Sequence, residues 1–208
     1  MLNAQFFTDT GQHREKNEDA GGIFYNQTQQ QMLVLCDGMG GHQAGEIASQ
    51  FVTYELQKRF EEENLIEINR AESWLRSNIK EINFQLYNYA QENEDYRGMG
   101  TTLVCAIIYD KQVVVANVGD SRAYVINQRQ MDQITSDHSF VNHLVMTGQI
   151  TKDEAFHHPQ RNIITQSVGQ AAPIEADLGV QQLEPGDYIL ANSDGLTNMI
   201  STEQIVHI

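Results

Sequence analysis

Three apolar stretches of the sequence each run into an aspartate beside a glycine: Leu33-Val34-Leu35-Cys36 into Asp37-Gly38, Val115-Ala116-Asn117-Val118-Gly119 into Asp120, and Ile189-Leu190-Ala191-Asn192-Ser193 into Asp194-Gly195. A single such aspartate is ordinarily a turn or cap residue. Three of them, with Glu18-Asp19 ahead of the strand-like residues 21–25 as a fourth acidic spot, place carboxylates where strand ends can converge. Clustered carboxylates repel and raise one another's pKa, so a folded cluster calls for cations. Oxygen-only ligation favours Mg²⁺ or Mn²⁺ over Zn²⁺. None of the 7 histidines sits in His-Glu-x-x-His or pairs with cysteine at zinc-ligand spacing.

Other chemistries fail on the residues. Gly38-Met39-Gly40-Gly41-His42-Gln43-Ala44-Gly45 is glycine-rich, but Glu46-Ile47 follows where a phosphate-binding P-loop needs Lys and Ser or Thr, and Gln43 breaks G-x-G-x-x-G. Glycine there lets a backbone carbonyl approach a metal before the chain enters a helix. Cys36 and Cys105 lie inside apolar runs and read as buried thiols. The residues six positions beyond them are His42 and Lys111, so neither cysteine has the arginine of a cysteine-based phosphatase.

The elements that must position these groups follow from periodicity. Residues 32–36, 102–109, 112–118, 122–127 and 187–191 are runs of strand length, and their continuous hydrophobicity predicts burial on both faces. Asp110-Lys111 and Gly119-Asp120 separate three of them, which predicts an antiparallel meander. Ala44, Ile47, Ala48, Phe51, Val52, Leu56 and Phe60 keep a helical stripe interrupted only by Glu55. A second helix is expected from Asn69, with Glu72 as its capping partner, and carries Ala71, Leu75, Ile79, Ile82, Leu86 and Tyr89. Phe140 to Met146 is helical up to Gly148, and Thr151 with Glu154 caps another short helix, so 139–165 forms a helical insert between strands. Ser201 with Gln204 starts a last helix that has under two turns of sequence to complete. The fold class is α+β, in one domain over 1–208 that is expected to be incomplete at its C-terminus.

Composition narrows the function classes. The 208 residues carry 28 acidic and 13 basic side chains, a net charge of −15, which opposes a protein that holds nucleic acid by neutralising phosphates. The longest apolar run, Leu103 to Tyr109, is far too short to span a bilayer, and the first residues lack an export signal pattern, so a cytoplasmic location is expected.

Six ordered motifs carry a family resemblance. Arg14-x-x-Asn17-Glu18-Asp19-Ala20, Asp37-Gly38-Met39-Gly40-Gly41-His42-x-Ala44-Gly45-Glu46, Gly100-Thr101-Thr102, Asn117-Val118-Gly119-Asp120-Ser121-Arg122, Thr135-Ser136-Asp137-His138-Ser139 and Ser193-Asp194-Gly195 follow one another. From about residue 8 onward the chain resembles the metal-dependent serine/threonine protein phosphatases of bacterial type 2C. The resemblance implies an α-β-β-α sandwich of two antiparallel sheets flanked by helices. Between the sheets it implies two Mn²⁺ or Mg²⁺ ions, with a possible third.

Carried over by position, Asp37 bridges the two ions, the Gly38 carbonyl ligates one and Asp194 holds the other, while Asp120 with Asp194 matches the third site. Glu18 and Asp19 match acids that hydrogen-bond metal-bound waters, and Arg14 matches the phosphate clamp. For Arg14 the alternative is a surface salt bridge, but a planar guanidinium five residues before Asp19 is well suited to grip two phosphate oxygens. Gly100-Thr101-Thr102 and Ser121-Arg122 read as shaping strands rather than touching substrate. The implied reaction is direct, in-line attack of water on phosphorus with no covalent enzyme intermediate, and residues 139–165 form a flap beside the site that tunes substrate choice.

Two departures stand out. No Asp-Asn pair follows Asp194, where the family completes one ion's shell, so a segment of a few tens of residues is expected to be missing. Met39 occupies the place where eukaryotic members carry a histidine proposed as general acid, and His42 lies three residues later. The implied partners are phosphorylated proteins and a cognate serine/threonine kinase. Two other readings stay open at this level: a relative restricted to one regulatory phosphoprotein, and a binding module that keeps metals for structure.

Overall fold

The computed structural model describes residues 3–12, 14, 16–40, 43–127, 130–171 and 173–207. Its elements are β1 (Asp19–Tyr25), β2 (Gln31–Met39), α1 (Ala44–Glu61), α2 (Ile68–Gln91), β3 (Gly100–Thr101), β4 (Leu103–Ile108), β5 (Gln112–Val118), β6 (Arg122–Ile126) and β7 (Met131–Gln133). Then follow α3 (Phe140–Met146), α4 (Lys152–Phe156), β8 (Asp177–Gln182), β9 (Tyr188–Asn192), α5 (Asp194–Thr197) and α6 (Thr202–Val206). One sheet runs β1-β2-β4-β5-β8 with β3 on the end of β2, and a second runs β7-β6-β9; every pairing is antiparallel. The α+β reading and its two antiparallel sheets hold.

Alternation along the strands explains why these runs are apolar throughout. Met32, Val34 and Cys36 of β2, Leu103, Cys105 and Ile107 of β4, and Val114, Ala116 and Val118 of β5 face one core, shared with Ala48, Val52, Leu56 and Phe60 of α1 and Leu75, Ile79, Ile82 and Leu86 of α2. The intervening Leu35, Val104, Ala106, Val113 and Val115 face the other way and meet Ala123, with Ile189 and Ala191 packed alongside. A strand with helices on one face and a second sheet on the other has no solvent side, so its sequence loses the polar alternation of an ordinary antiparallel strand.

Two local expectations change. The strands 102–109, 112–118 and 122–127 do not form one meander: β4 and β5 pair, but β6 belongs to the second sheet, between β7 and β9. Gly119 takes φ +106 and turns the chain from one layer into the other instead of closing a hairpin. The second helix starts one residue before Asn69, its cap position is Glu67, and no side chain caps it; its amphipathic face against the sheet carries it instead. The capping boxes of Thr151 with Glu154 and Ser201 with Gln204 are both present.

The loop between β1 and β2 is closed internally. Asn26 Oδ1 accepts hydrogen bonds from the Thr28 N–H at 3.0 Å and the Gln30 N–H at 2.9 Å, and Asn26 itself is buried. This fixes the register in which Asp19 stands opposite Asp37.

Candidate active site

Asp19 opens β1 and Asp37 sits near the end of β2, directly across from it. Ser193 Oγ donates to Asp19 Oδ2 at 2.8 Å, which brings the turn before Asp194 against the same strand pair. Asp194 begins α5 and accepts from Asn198 Nδ2 at 3.1 Å. Asp120 follows the Gly119 turn, whose N–H donates to His138 Nδ1 at 3.2 Å and whose carbonyl accepts the His138 N–H at 2.8 Å. Gly38 is closely packed: its N–H donates to the Glu18 carbonyl at 3.0 Å, and a Cβ there would overlap the Gly45 carbonyl oxygen. Glycine therefore permits the start of α1 to press against the end of β2.

The placement shifts the charges. Burial raises the Asp37 pKa to about 8, helped by Asp19, Asp194 and Asp120. Burial raises Asp120 to about 6, with Asp194 and Asp137 adding to it. Asp19 is also raised, by burial first, against the Ser193 hydrogen bond that favours its charged form. Carboxylates in this state need a positive charge to ionise comfortably.

Arg14, Glu18, Asp19, Asp37, Gly38, Asp120 and Asp194 all line one open cavity of about 1310 Å³. The structure thus brings these seven residues to one cavity wall. Arg14 lies at the rim, its side chain 76% exposed, and its guanidinium stands 3.5 Å from Glu18; both the salt bridge and a route to an incoming phosphate are available to it. His42 lies outside the described residues.

Sequence reasoning missed Lys16, Arg97 and Asn162, which line the same cavity. Arg97 comes from the loop before β3, and nothing in its spacing relates it to an acidic strand end. Among the described residues no three His, Cys, Asp or Glu side chains close around a single point. Hard divalent cations take oxygen ligands and keep several waters. The donor set fits them in being oxygen only: the half-buried Asp37 and Asp120 carboxylates, the exposed Asp194 carboxylate and the Gly38 carbonyl, all on one cavity wall.

A family model described as "Protein phosphatase 2C" matches residues 11–207, and the chain belongs to that family. Within it the chain is a phosphatase of the bacterial serine/threonine type. It is 47% identical over 201 residues to a putative protein phosphatase 2C-type of Streptococcus pyogenes, covering 97% of this chain and 81% of that protein. It is 42% identical over 208 residues to the serine/threonine phosphatase stp of Listeria monocytogenes, covering 100% and 82%. Among solved structures, serine/threonine phosphatase Stp1 from Staphylococcus aureus superposes with a TM-score of 0.95 at 70% identity, over 99% of this chain and 81% of that one. The catalytic domain of the phosphatase PstP in complex with two manganese ions superposes with a TM-score of 0.80 at 32% identity, over 96% and 80%.

Proposed function

We propose that this phosphatase removes phosphate from phosphoserine and phosphothreonine of protein substrates, and that Asp37, the Gly38 carbonyl, Asp120 and Asp194 hold Mn²⁺ or Mg²⁺. The observation that carries the reading is the convergence of Asp19, Asp37, Asp120 and Asp194 on one cavity, where partial burial and acidic neighbours push the Asp37 pKa up to about 8. When bound, such cations polarise a phosphate and make water a stronger nucleophile. Asp37 and Asp194 approach from different sheets, so together they fix the gap in which a phosphate sits. Gly38 adds a neutral donor without further charge. Asp19, oriented by the Ser193 hydroxyl, and Glu18, at the cavity wall, each accept hydrogen bonds from an attacking water and hold it in line. Arg14 swings from Glu18 to grip two phosphate oxygens.

Asp120 with Asp194 is the place for a third cation. The insert 139–165, which lends Asn162 and Ile164 to the cavity wall and whose helices α3 and α4 line an adjoining pocket that shares Asp120, Asn162 and Asp194, selects among substrates. A cytoplasmic location and a cognate serine/threonine kinase belong to the same proposal; among the described residues no helix is long and apolar enough to cross a membrane. Release of phosphate from p-nitrophenyl phosphate by the full-length protein, with and without Mn²⁺, tests it. Mn²⁺-dependent turnover is expected, and turnover indifferent to Mn²⁺ and to chelation overturns the metal assignment.

A further inference from the structure

The backbone of Asp37 is gripped on both sides by one pair of residues from the turn into β4. Its N–H donates to Thr102 Oγ1 at 2.9 Å. Its carbonyl accepts the Thr102 N–H at 2.9 Å and the Thr101 hydroxyl at 2.9 Å. Thr101 is 0% and Thr102 1% exposed, so these bonds have no water competing for them.

The Thr102 hydroxyl also reaches the other side of the cavity. Thr102 Oγ1 lies 2.7 Å from Ser121 Oγ, and Ser121 is itself fully buried. Ser121 follows Asp120 in the chain. Gly119, which precedes Asp120, packs on the same threonine: a Cβ there would stand 2.7 Å from Thr102 Cγ2. One side chain therefore touches the backbone of Asp37 and both chain neighbours of Asp120.

We propose that Thr102 is a positioning residue that sets the spacing of Asp37 relative to Asp120 through its hydroxyl, and that cation affinity in the cavity depends on it. The inference rests on the reading of the cavity as a divalent-cation centre. It differs from a strand-shaping role in a way that can be separated. Valine matches threonine in shape and in strand preference but cannot hydrogen-bond. Serine keeps the hydroxyl and loses the methyl that meets Gly119. On Mn²⁺ affinity, a role confined to side-chain shape leaves Thr102→Val close to wild type and makes Thr102→Ser harmful, whereas a positioning role reverses the order.

The experiment is a calorimetric titration of Mn²⁺ into metal-free full-length protein, together with amide hydrogen exchange at Asp37 in the same metal-free samples. Groups that orient metal ligands typically change metal affinity about 10- to 100-fold when lost. Thr102→Val is expected to raise the Mn²⁺ dissociation constant by about that factor. It should also speed exchange at the Asp37 amide, and lower kcat more than it changes KM. Thr102→Ser should stay within about threefold of wild type on the same scale. Ser121→Ala should weaken Mn²⁺ binding less than Thr102→Val does, and the double variant should be no worse than Thr102→Val alone, because both act through one link. Wild-type affinity in folded Thr102→Val, or equal losses in the valine and serine variants, overturns the proposal. If Thr102→Val does not fold, the ordering of Thr102→Ser and Ser121→Ala decides. If the wild type itself binds no Mn²⁺, the reading of the cavity falls, and exchange at Asp37 still decides whether the link exists.

Discussion

Two acidic groupings lie within a few residues of each other and behave in opposite ways. In the cavity, burial raises the pKa of Asp19, Asp37 and Asp120, and the neighbouring Asp194 carboxylate adds to the rise of each. At the start of β6, Asp137 receives the Arg122 Nε at 3.0 Å on each oxygen and the Nη2 at 2.6 Å, with Gln133 Nε2 adding a bond at 2.8 Å. Burial works against the Arg122 guanidinium, but Asp137 outweighs it and the Arg122 pKa rises. The second grouping is a completed structural contact. The first is held together by strand pairing and backbone hydrogen bonds against its own repulsion, and that repulsion is what the proposed cations would relieve.

Removing one charge from each grouping should separate them most clearly. Asp37→Asn in the full-length protein is expected to bring Mn²⁺-dependent phosphate release down to background, while its metal-free form melts at a higher temperature than wild type at pH 8. Calorimetric melting and a p-nitrophenyl phosphate assay on the same preparation check both halves. Asp137→Ala should do the reverse. A fully buried ion pair that loses one partner costs about 3–5 kcal/mol. The Arg122 side chain is 34% exposed and that of Asp137 12%, so a loss of about 2 kcal/mol in denaturant unfolding is expected, with turnover per folded molecule changed only a few-fold. An Asp137→Ala protein of full stability would erase the contrast.

The pH dependence sharpens it further. A carboxyl whose folded pKa lies above its unfolded value binds more protons when folded, so its stabilising share is complete below the unfolded pKa and is lost as pH rises. For Asp37 that window runs from its ordinary value of 3.8 to about 8, and for Asp120 from 3.8 to about 6. Metal-free protein should therefore lose stability steadily between about pH 4 and pH 8, and Asp37→Asn should flatten the upper part of that slope. Mn²⁺ added at pH 7 should release protons, measurable by titration in buffers of different ionisation enthalpy. The smallest effect on stability is expected for Arg14→Ala. An exposed ion pair contributes about 0–1 kcal/mol, so the melting temperature should hardly move, while KM for a phosphopeptide rises about tenfold if a bidentate phosphate contact is lost.

What could be read from the sequence followed physical visibility. The central strands β2, β4 and β5 of the large sheet were legible because burial on both faces makes them apolar along most of their length, and Asp37, Asp120 and Asp194 were legible because each ends an apolar run beside a glycine. The sheet to which β6 belongs was not, since Gly119-Asp120 serves a hairpin and a passage between layers equally well. β8 escaped notice because Asp177–Gln182 is an outer strand with mostly exposed side chains. The contact of Thr102 with Asp37 depends on which residues of β2 and the β4 turn face each other, and no local pattern encodes that.

The short loop that Asn26 ties together lies at the far end of the β1-β2 hairpin from the acidic cavity, yet it sets the count by which Asp19 and Asp37 meet. Lengthening or shortening it by one residue would send one of those side chains to the opposite surface of the sheet. A single-codon insertion between Asn26 and Gln30 is expected to disable the enzyme from a distance without touching any residue that meets a phosphate.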